Sequence, residues 1–137
     1  MNVRQLSVLI ENNGKVSEAT DVLGVSEVSI RGFSVSDNCD YGVVRLIVDD
    51  PEKGRDALAD AGFTVKMDDV VCLDLPDRPG GLAGLLKVVS DSGVVIEYVY
   101  SLISTHVVIN VADATRSVAL LRDPALHIVS QEEISSM

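Results

Sequence analysis

The chain holds no run of some twenty apolar residues, which excludes a membrane-spanning helix. Its opening stretch, MNVRQLSVLIENN, has no basic head, long apolar segment or small-residue cleavage site, so no secretory leader is expected. Cysteine is scarce. Cys39 falls in a polar loop, and Cys72 falls in an apolar strand-like run, where a buried thiol acts as a small hydrophobe. Two such residues make no disulfide framework, and a reducing, cytoplasmic setting is expected. Basic residues are also few. Residues 1–69 carry 7 against 13 acidic (-6), and residues 70–137 carry 4 against 8 (-4), for a formal net charge of -10. Neither half offers the basic patch that a phosphate backbone demands, so direct contact with nucleic acid is not expected. The acidity serves solubility.

Reactive constellations are missing as well. His106 and His127 stand far apart, without a cysteine or carboxylate at a spacing that suits a metal, and read as packing or surface residues. Asp37–Asp40 (DNCD) lacks the spacing of a calcium loop and reads as a surface turn. Gly80–Lys87 (GGLAGLLK) lacks the order of a phosphate loop, and its lysine falls inside a helix. No nucleophile stands beside a base. No catalytic residue, metal or cofactor is therefore expected.

What is present is hydrophobic rhythm. Of 137 residues, 47% are hydrophobic, enough for a core that needs no staples. Pro76–Leu85 (PDRPGGLAGL) packs two prolines and three glycines into one turn, which raises the question of what passes close to its backbone. The turn occurs twice. With Gly14 set on Gly80, Val16 meets Leu82, Ala19 meets Leu85 and Leu23 meets Val89. After a shorter loop in the second copy, Val44–Asp50 lies on Val107–Asp113 and Phe63 meets Leu126. Leu82, Leu85, Leu86 and Val89 share one helical face. Val94–Ile103 is rich in β-branched and aromatic residues and reads as a strand.

The first copy reads as strand Gln5–Ile10, helix Gly14–Leu23, strands Val28–Ser36 and Tyr41–Val48, helix Pro51–Ala61 and strand Phe63–Val71. The second reads as strand Val70–Leu75, a helix ended by Ser92-Gly93, strands Val94–Ile103 and His106–Val111, a helix capped by Asp113, and strand Leu126–Ser130. The order is βαββαβ twice: an α+β fold of two ferredoxin-like repeats, 1–69 and 70–137, side by side. Each copy leaves its second strand at an edge. Pairing those edges, Ile30–Val35 with Ile96–Ser101, predicts one eight-stranded antiparallel sheet with four helices on one face. The other face would show apolar residues such as Phe33, Val35 and Val99 and so favour a homodimer. Ile30 and Phe33 can share a face only through a bulge.

The turns Asn12–Val16 (NNGKV) and Asp77–Leu82 (DRPGGL), the second a close match to a D-x-P-G-x-L signature, resemble those of the ACT domain family. The strand Val95–Ser101 (VIEYVYS) is similar to the second strand of stand-alone double-ACT proteins. The resemblance spans nearly the whole chain and implies an amino-acid-binding regulatory module. It places an effector where one copy's turn faces the other copy's second strand. The implied contacts are Asn12, Asn13, Gly14, Lys15 and Val16 with Glu97, Tyr98 and Tyr100, and Asp77, Arg78, Pro79, Gly80, Gly81 and Leu82 with Arg31. Backbone N–H groups at a helix start suit an α-carboxylate.

Plainer readings stand beside these. The glycines serve a tight turn as readily as a ligand. Asn12 and Asn13 can cap a helix. Glu97 faces outward or pairs with Arg31, its counterpart in copy one, and the tyrosines pack. Gly32 and Ser34 stand where the second copy has Tyr98 and Tyr100, so the two pockets would differ. The function implied is non-catalytic sensing that acts in trans on a protein partner. The alternatives are an acylphosphatase-like enzyme using Arg78, or an interaction module with closed pockets.

Overall fold

Alternation along the first strand faces two cores at once. In β1 (Val3–Ile10), Leu6, Val8 and Ile10 enter one core, and Val3 and Gln5 point the other way, where they too are fully buried. The computed structural model describes residues 3–11, 14–37, 42–103, 106–111, 114–121 and 126–137. After β1 come α1 (Gly14–Val25), β2 (Ile30–Asp37), β3 (Gly42–Val48), α2 (Pro51–Asp60) and β4 (Thr64–Asp74). The second copy adds α3 (Gly81–Asp91), β5 (Ile96–Ser101), β6 (His106–Val111), α4 (Ala114–Leu120), β7 (Ile128–Val129) and α5 (Gln131–Ser135). Asp50 caps α2 by accepting from the Lys53 N–H at 3.2 Å, and Pro51 supplies its first turn. Asp113, the expected cap of α4, lies outside the described residues, as does Cys39.

The sheet corrects the expectation of eight strands and four helices: the described residues form seven strands and five helices. Strand order runs β2-β3-β1-β4-β6-β5, with β7 also on β4. One strand serves both copies. Its residues up to Val70 pair with β1, and those from Val71 pair with β6. The physical reason is local. Between Thr64 and Leu75 there is neither glycine nor proline, so nothing ends the strand at the junction.

The second strands do not form the expected ladder. β2 and β5 meet at a single bridge, Gly32 to Leu102, beside a hydrogen bond from the Ile103 N–H to the Arg31 carbonyl at 2.9 Å. The sheet thus curls until its two edges touch. A Cβ on Gly32 would lie 3.1 Å from the Leu102 Cα and collide with its side chain, so only glycine permits the approach. A bulge falls between Ile30 and Gly32, as the phase of β2 requires, and its counterpart falls between Ile96 and Tyr98.

Curling also closes the helix-free face. Val3, Ile47, Val70, Cys72, Leu102, Val108 and Val129 pack there into a core between the copies, with Ile134 of α5. Phe33 and Val35 are not on that face. They pair with Leu46 and Val44, on the helix side, and remain 58% and 49% exposed. Burial pushes the Cys72 thiol up to about 12, with the Asp74 and Glu133 carboxylates adding to the shift.

Helix α5 starts at a cap of its own: the Ser130 hydroxyl accepts from the Glu133 N–H at 3.2 Å. It then ties copy two to copy one. Gln131 accepts from the Arg4 N–H at 3.0 Å and donates to the Val48 carbonyl at 3.2 Å. Ser135 donates to the Asp49 carbonyl at 2.6 Å.

Two outcomes follow from this packing. Gly32→Val, which forces a side chain against Leu102, should destabilise the chain by about 1–3 kcal/mol, read as a lower urea midpoint. An unchanged midpoint would show that the edges do not touch. Cys72 should resist iodoacetamide in the folded protein at neutral pH and react once the chain is unfolded; fast alkylation of the native protein would contradict the closed inner core.

Candidate functional site

The second turn explains its own glycines. The Arg78 N–H donates to the Pro76 carbonyl at 3.0 Å, the Gly81 N–H to the Arg78 carbonyl at 2.9 Å, and the Gly84 N–H to the Gly80 carbonyl at 2.9 Å. Gly80 sits at φ 80°, a left-handed conformation that glycine adopts without strain. A Cβ on Gly81 would overlap the Pro76 carbonyl oxygen. What passes close to this turn is therefore the chain's own backbone. Asp77, Arg78, Pro79, Gly80 and Leu82 are exposed, whereas Gly81 is buried.

In the first turn Asn12 and Asn13 lie outside the described residues. Gly14 opens α1. Lys15 pairs with Glu18 at 3.1 Å, and Val16 packs half-buried against the first core. Beside this turn Glu11, Lys15, Glu18, Phe63 and Thr64 line a cleft of about 210 Å³. It carries both signs of charge.

The other implied contacts are placed elsewhere. Arg31 is the bulge residue of β2. Its Nε donates to the Ile134 carbonyl at 3.3 Å, where a cation suits the end of α5. Its backbone lies opposite Ile103, six residues and roughly 20 Å along the extended chain from Glu97. Glu97 is exposed at the bulge of β5. Tyr98 and Tyr100 do share a face, the inner one. Tyr100 donates to Gln5 Oε1 at 2.6 Å, and Gln5 Nε2 donates to Tyr98 Oη at 2.6 Å. The Arg45 guanidinium lies 4.1 Å from the centre of the Tyr98 ring. Burial, with the neighbouring Tyr98 hydroxyl, pushes the Tyr100 hydroxyl well above its ordinary range.

Gln5 stands five residues before the end of β1 at Ile10, roughly 17 Å along the strand. The tyrosine hydroxyls thus engage the body of copy one rather than its turn. Gln5 and Arg45 are absent from the implied contacts. Gln5 carried one signal in the sequence, a polar residue in phase with Val3 on the face opposite Leu6 and Val8. Arg45 carried none.

The histidines sit at the junction of β4, β6 and α5. His106 Nε2 lies 2.7 Å from Asp74 Oδ1, and His127 Nε2 lies 2.9 Å from Glu133 Oε2. The hydrogen bond to Glu133 holds His127 above its ordinary 6.5, and the same bond holds Glu133 below 4.5. Among the described residues no group of three or more His, Cys, Asp or Glu is arranged to hold a metal ion.

The family model for the ACT domain pair matches residues 1–137. Protein BT0572 from Bacteroides thetaiotaomicron has a similar crystal structure, with a TM-score of 0.90 and 33% identity over 100% of this chain and 98% of that one. The ligand-free regulatory subunit of aspartate kinase from Thermus thermophilus is similar at a TM-score of 0.64 and 15% identity, over 88% of this chain and 89% of that one. The corresponding subunit from Thermus flavus gives 0.61 and 15%, over 89% and 90%. These last two likenesses concern the fold. A search of curated proteins returns no match.

Tyr100→Phe should cost about 1–3 kcal/mol, because it strips a buried glutamine oxygen of its donor. Changing Gln5 to Met together with both tyrosines to Phe should restore much of that loss; additive losses would argue against a shared network. The His127–Glu133 pair makes a second, smaller effect. A raised histidine stabilises below 6.5 and loses this as pH rises through its folded value; a lowered glutamate stabilises above 4.5 and loses this as pH falls. The stability difference between parent and His127→Gln should therefore be largest between 4.5 and 6.5 and vanish in alkali. A pH-independent difference in urea midpoint would mean that the pair contributes nothing through charge.

Proposed function

The chain belongs to the ACT domain pair family, a family of regulatory amino-acid-binding modules, and on that premise we propose that it is a non-catalytic amino-acid sensor. A free amino acid binds at the helix-opening turns, and the bound form acts in trans on an enzyme or regulator of amino-acid metabolism in the cytoplasm. The observation that carries this reading is the first turn. It opens α1 beside a cleft that presents Lys15 together with Glu11 and Glu18. A zwitterion needs both: N–H groups and a cation for its carboxylate, and an acidic acceptor for its ammonium. In the second copy Asp77 and Arg78, exposed in the turn ahead of α3, offer the same pair of charges.

Tyr98, Tyr100 and Arg31 act in this proposal as links between the copies. The tyrosines hold Gln5 and Arg31 holds α5, so a change at a turn is felt across the inner core. Coupling of that kind requires an effector with different affinity for two arrangements of the copies. Self-association remains part of the proposal through Phe33, Val35 and Val99, which keep 58%, 49% and 37% of their surface exposed.

A thermal-shift screen against the twenty amino acids is the test. Saturation at about 100 times Kd adds about 2.7 kcal/mol, which in a chain of this size raises the melting temperature by roughly 5 °C or more. Calorimetry should then show binding lost at the first turn in Gly14→Val and at the second in Leu82→Asp. A flat screen would leave the interaction module as the better reading. Undiminished binding in both variants would place the site elsewhere.

A further inference from the structure

The helix-free face is closed at one end and open at the other. Along β1 the residues that point into it run from Val3 and Gln5, fully buried, through Ser7, half-buried, to Leu9, 44% exposed. β4 follows the same course, from buried Val70 through half-buried Asp68 to Lys66, whose side chain is 78% exposed. The faces of the two copies therefore part towards the end of β1. Across the open part the ladders align Ser34, Arg45, Ser7 and Lys66, on β2, β3, β1 and β4, in one row. Alternation puts the row on this face, because the adjoining Leu46, Val8 and Met67 pack into the first core. Neighbours in such a row stand about 5 Å apart, so Arg45 and Lys66 flank Ser7. Tyr98 of copy two lies against the row, its ring centre 4.1 Å from the Arg45 guanidinium.

These groups are rich in donors and short of acceptors. Gln5 Nε2 has two hydrogens; it donates to Tyr98 Oη at 2.6 Å and to Ser7 Oγ at 3.3 Å. Each hydroxyl, having accepted from the amide, turns its own hydrogen elsewhere, and among the described residues neither finds an acceptor. Arg45 donates from Nη1 to Ser36 Oγ at 3.2 Å, and among the described residues no carboxylate pairs with it. Asp68 stands beside Lys66 at 3.5 Å, an exposed pair that holds the lysine only weakly. In a chain whose net charge is -10, this stretch of surface gathers two cations and two free hydroxyl hydrogens.

We infer that the open part of the face between the copies binds a small oxyanion, a carboxylate or phosphate group. Arg45 is its charge-assisted donor, the Tyr98 and Ser7 hydroxyls are its neutral donors, and Lys66 flanks it. Buried Gln5 fixes the direction of both hydroxyls before the ligand arrives, which lowers the ordering cost. The ligand bridges the copies, because Arg45, Ser7 and Lys66 belong to one and Tyr98 to the other. The inference rests on this face and does not depend on the turns binding anything.

Acetate and inorganic phosphate are the probes, each titrated into the intact chain against chloride at constant ionic strength and read by NMR. Saturable shifts are expected at the Ser7 amide, the Arg45 Nε–H and the Tyr98 ring. Arg45→Gln removes the charge-assisted donor and should weaken binding, read at Ser7 and Tyr98, about ten-fold or more. Lys66→Gln should weaken it a few-fold, as loss of an exposed charge does. Lys66 is exposed, so this variant remains informative even if Arg45→Gln folds poorly. Lys53→Gln, at an exposed site on α2 away from this face, should leave binding unchanged. Tighter binding of phosphate would identify a phosphate-bearing ligand, and tighter binding of acetate a carboxylic acid; either result supports the site. Absence of saturable shifts, shifts that chloride reproduces, or equal binding in the parent, Arg45→Gln and Lys66→Gln overturns it. So do shifts confined to Lys15 and the start of α1, because the ion then sits at the first turn.

Discussion

Strand β4 gives each copy an edge that the copy cannot supply for itself. Up to Val70 it completes the first sheet, and from Val71 it begins the second, so backbone hydrogen bonds of both sheets run through one unbroken segment. A shared strand leaves no flexible joint. The twist of the strand sets the angle between the sheets, and that angle turns both helix-free faces toward one another. The inner core around Val3, Ile47, Val70, Cys72 and Val108 is the result. That core draws Val3 and Ile47 from copy one and Leu102, Val108, Val129 and Ile134 from copy two.

Closing the inner face raises a polar problem, because β1 carries Gln5 into it with no exposed surface. An amide buried without partners destabilises by an amount comparable to several favourable contacts. Two tyrosines of the other copy meet it at 2.6 Å each, and no buried side-chain nitrogen or oxygen among the described residues lacks a partner. Hydrophobic contacts along the inner face tolerate small slips, whereas this triad is satisfied in one alignment of β5 over β1. It therefore selects one arrangement of the copies. Helix α5 adds a second selection through Gln131, Ser135 and Ile134, all of which reach into copy one or the inner core.

The turns and the inner face divide the work. At Asp77–Leu82 glycine is required for internal reasons, a left-handed residue at Gly80 and the Pro76 carbonyl pressed against Gly81. The exposed atoms of the turn are therefore held rigidly before any ligand arrives, which lowers the ordering cost of binding. The tyrosine strand, by contrast, is committed to holding the copies together. Under the proposed function, binding at the turns and coupling through the inner face is the arrangement that regulation through two coupled states requires.

Local and periodic features were legible in the amino-acid order. The helical face of Leu82, Leu85 and Val89, the cap at Asp50-Pro51 and the bulge after Ile30 each depend on residues a few positions apart, and the 66-residue and 63-residue offsets only repeat such local patterns; each is present. Helix α5, which follows the last expected strand, also has a local mark in Ser130 and Glu133, which carry a capping-box spacing. The segment from Phe63 to Leu75 is expected from the sequence as two strands, Phe63–Val71 and Val70–Leu75, and is one, with neither glycine nor proline from Thr64 to Leu75 to divide it. Only the tertiary structure decided that this strand would serve two sheets, that β2 and β5 would touch at one glycine, and that Tyr98 and Tyr100 would hold Gln5 rather than face a turn. These are contacts between residues some 70 to 95 positions apart. A periodic pattern states which face a side chain occupies. It carries no term for which distant face will lie opposite, because that depends on twist accumulated over the whole sheet and on the packing of everything between.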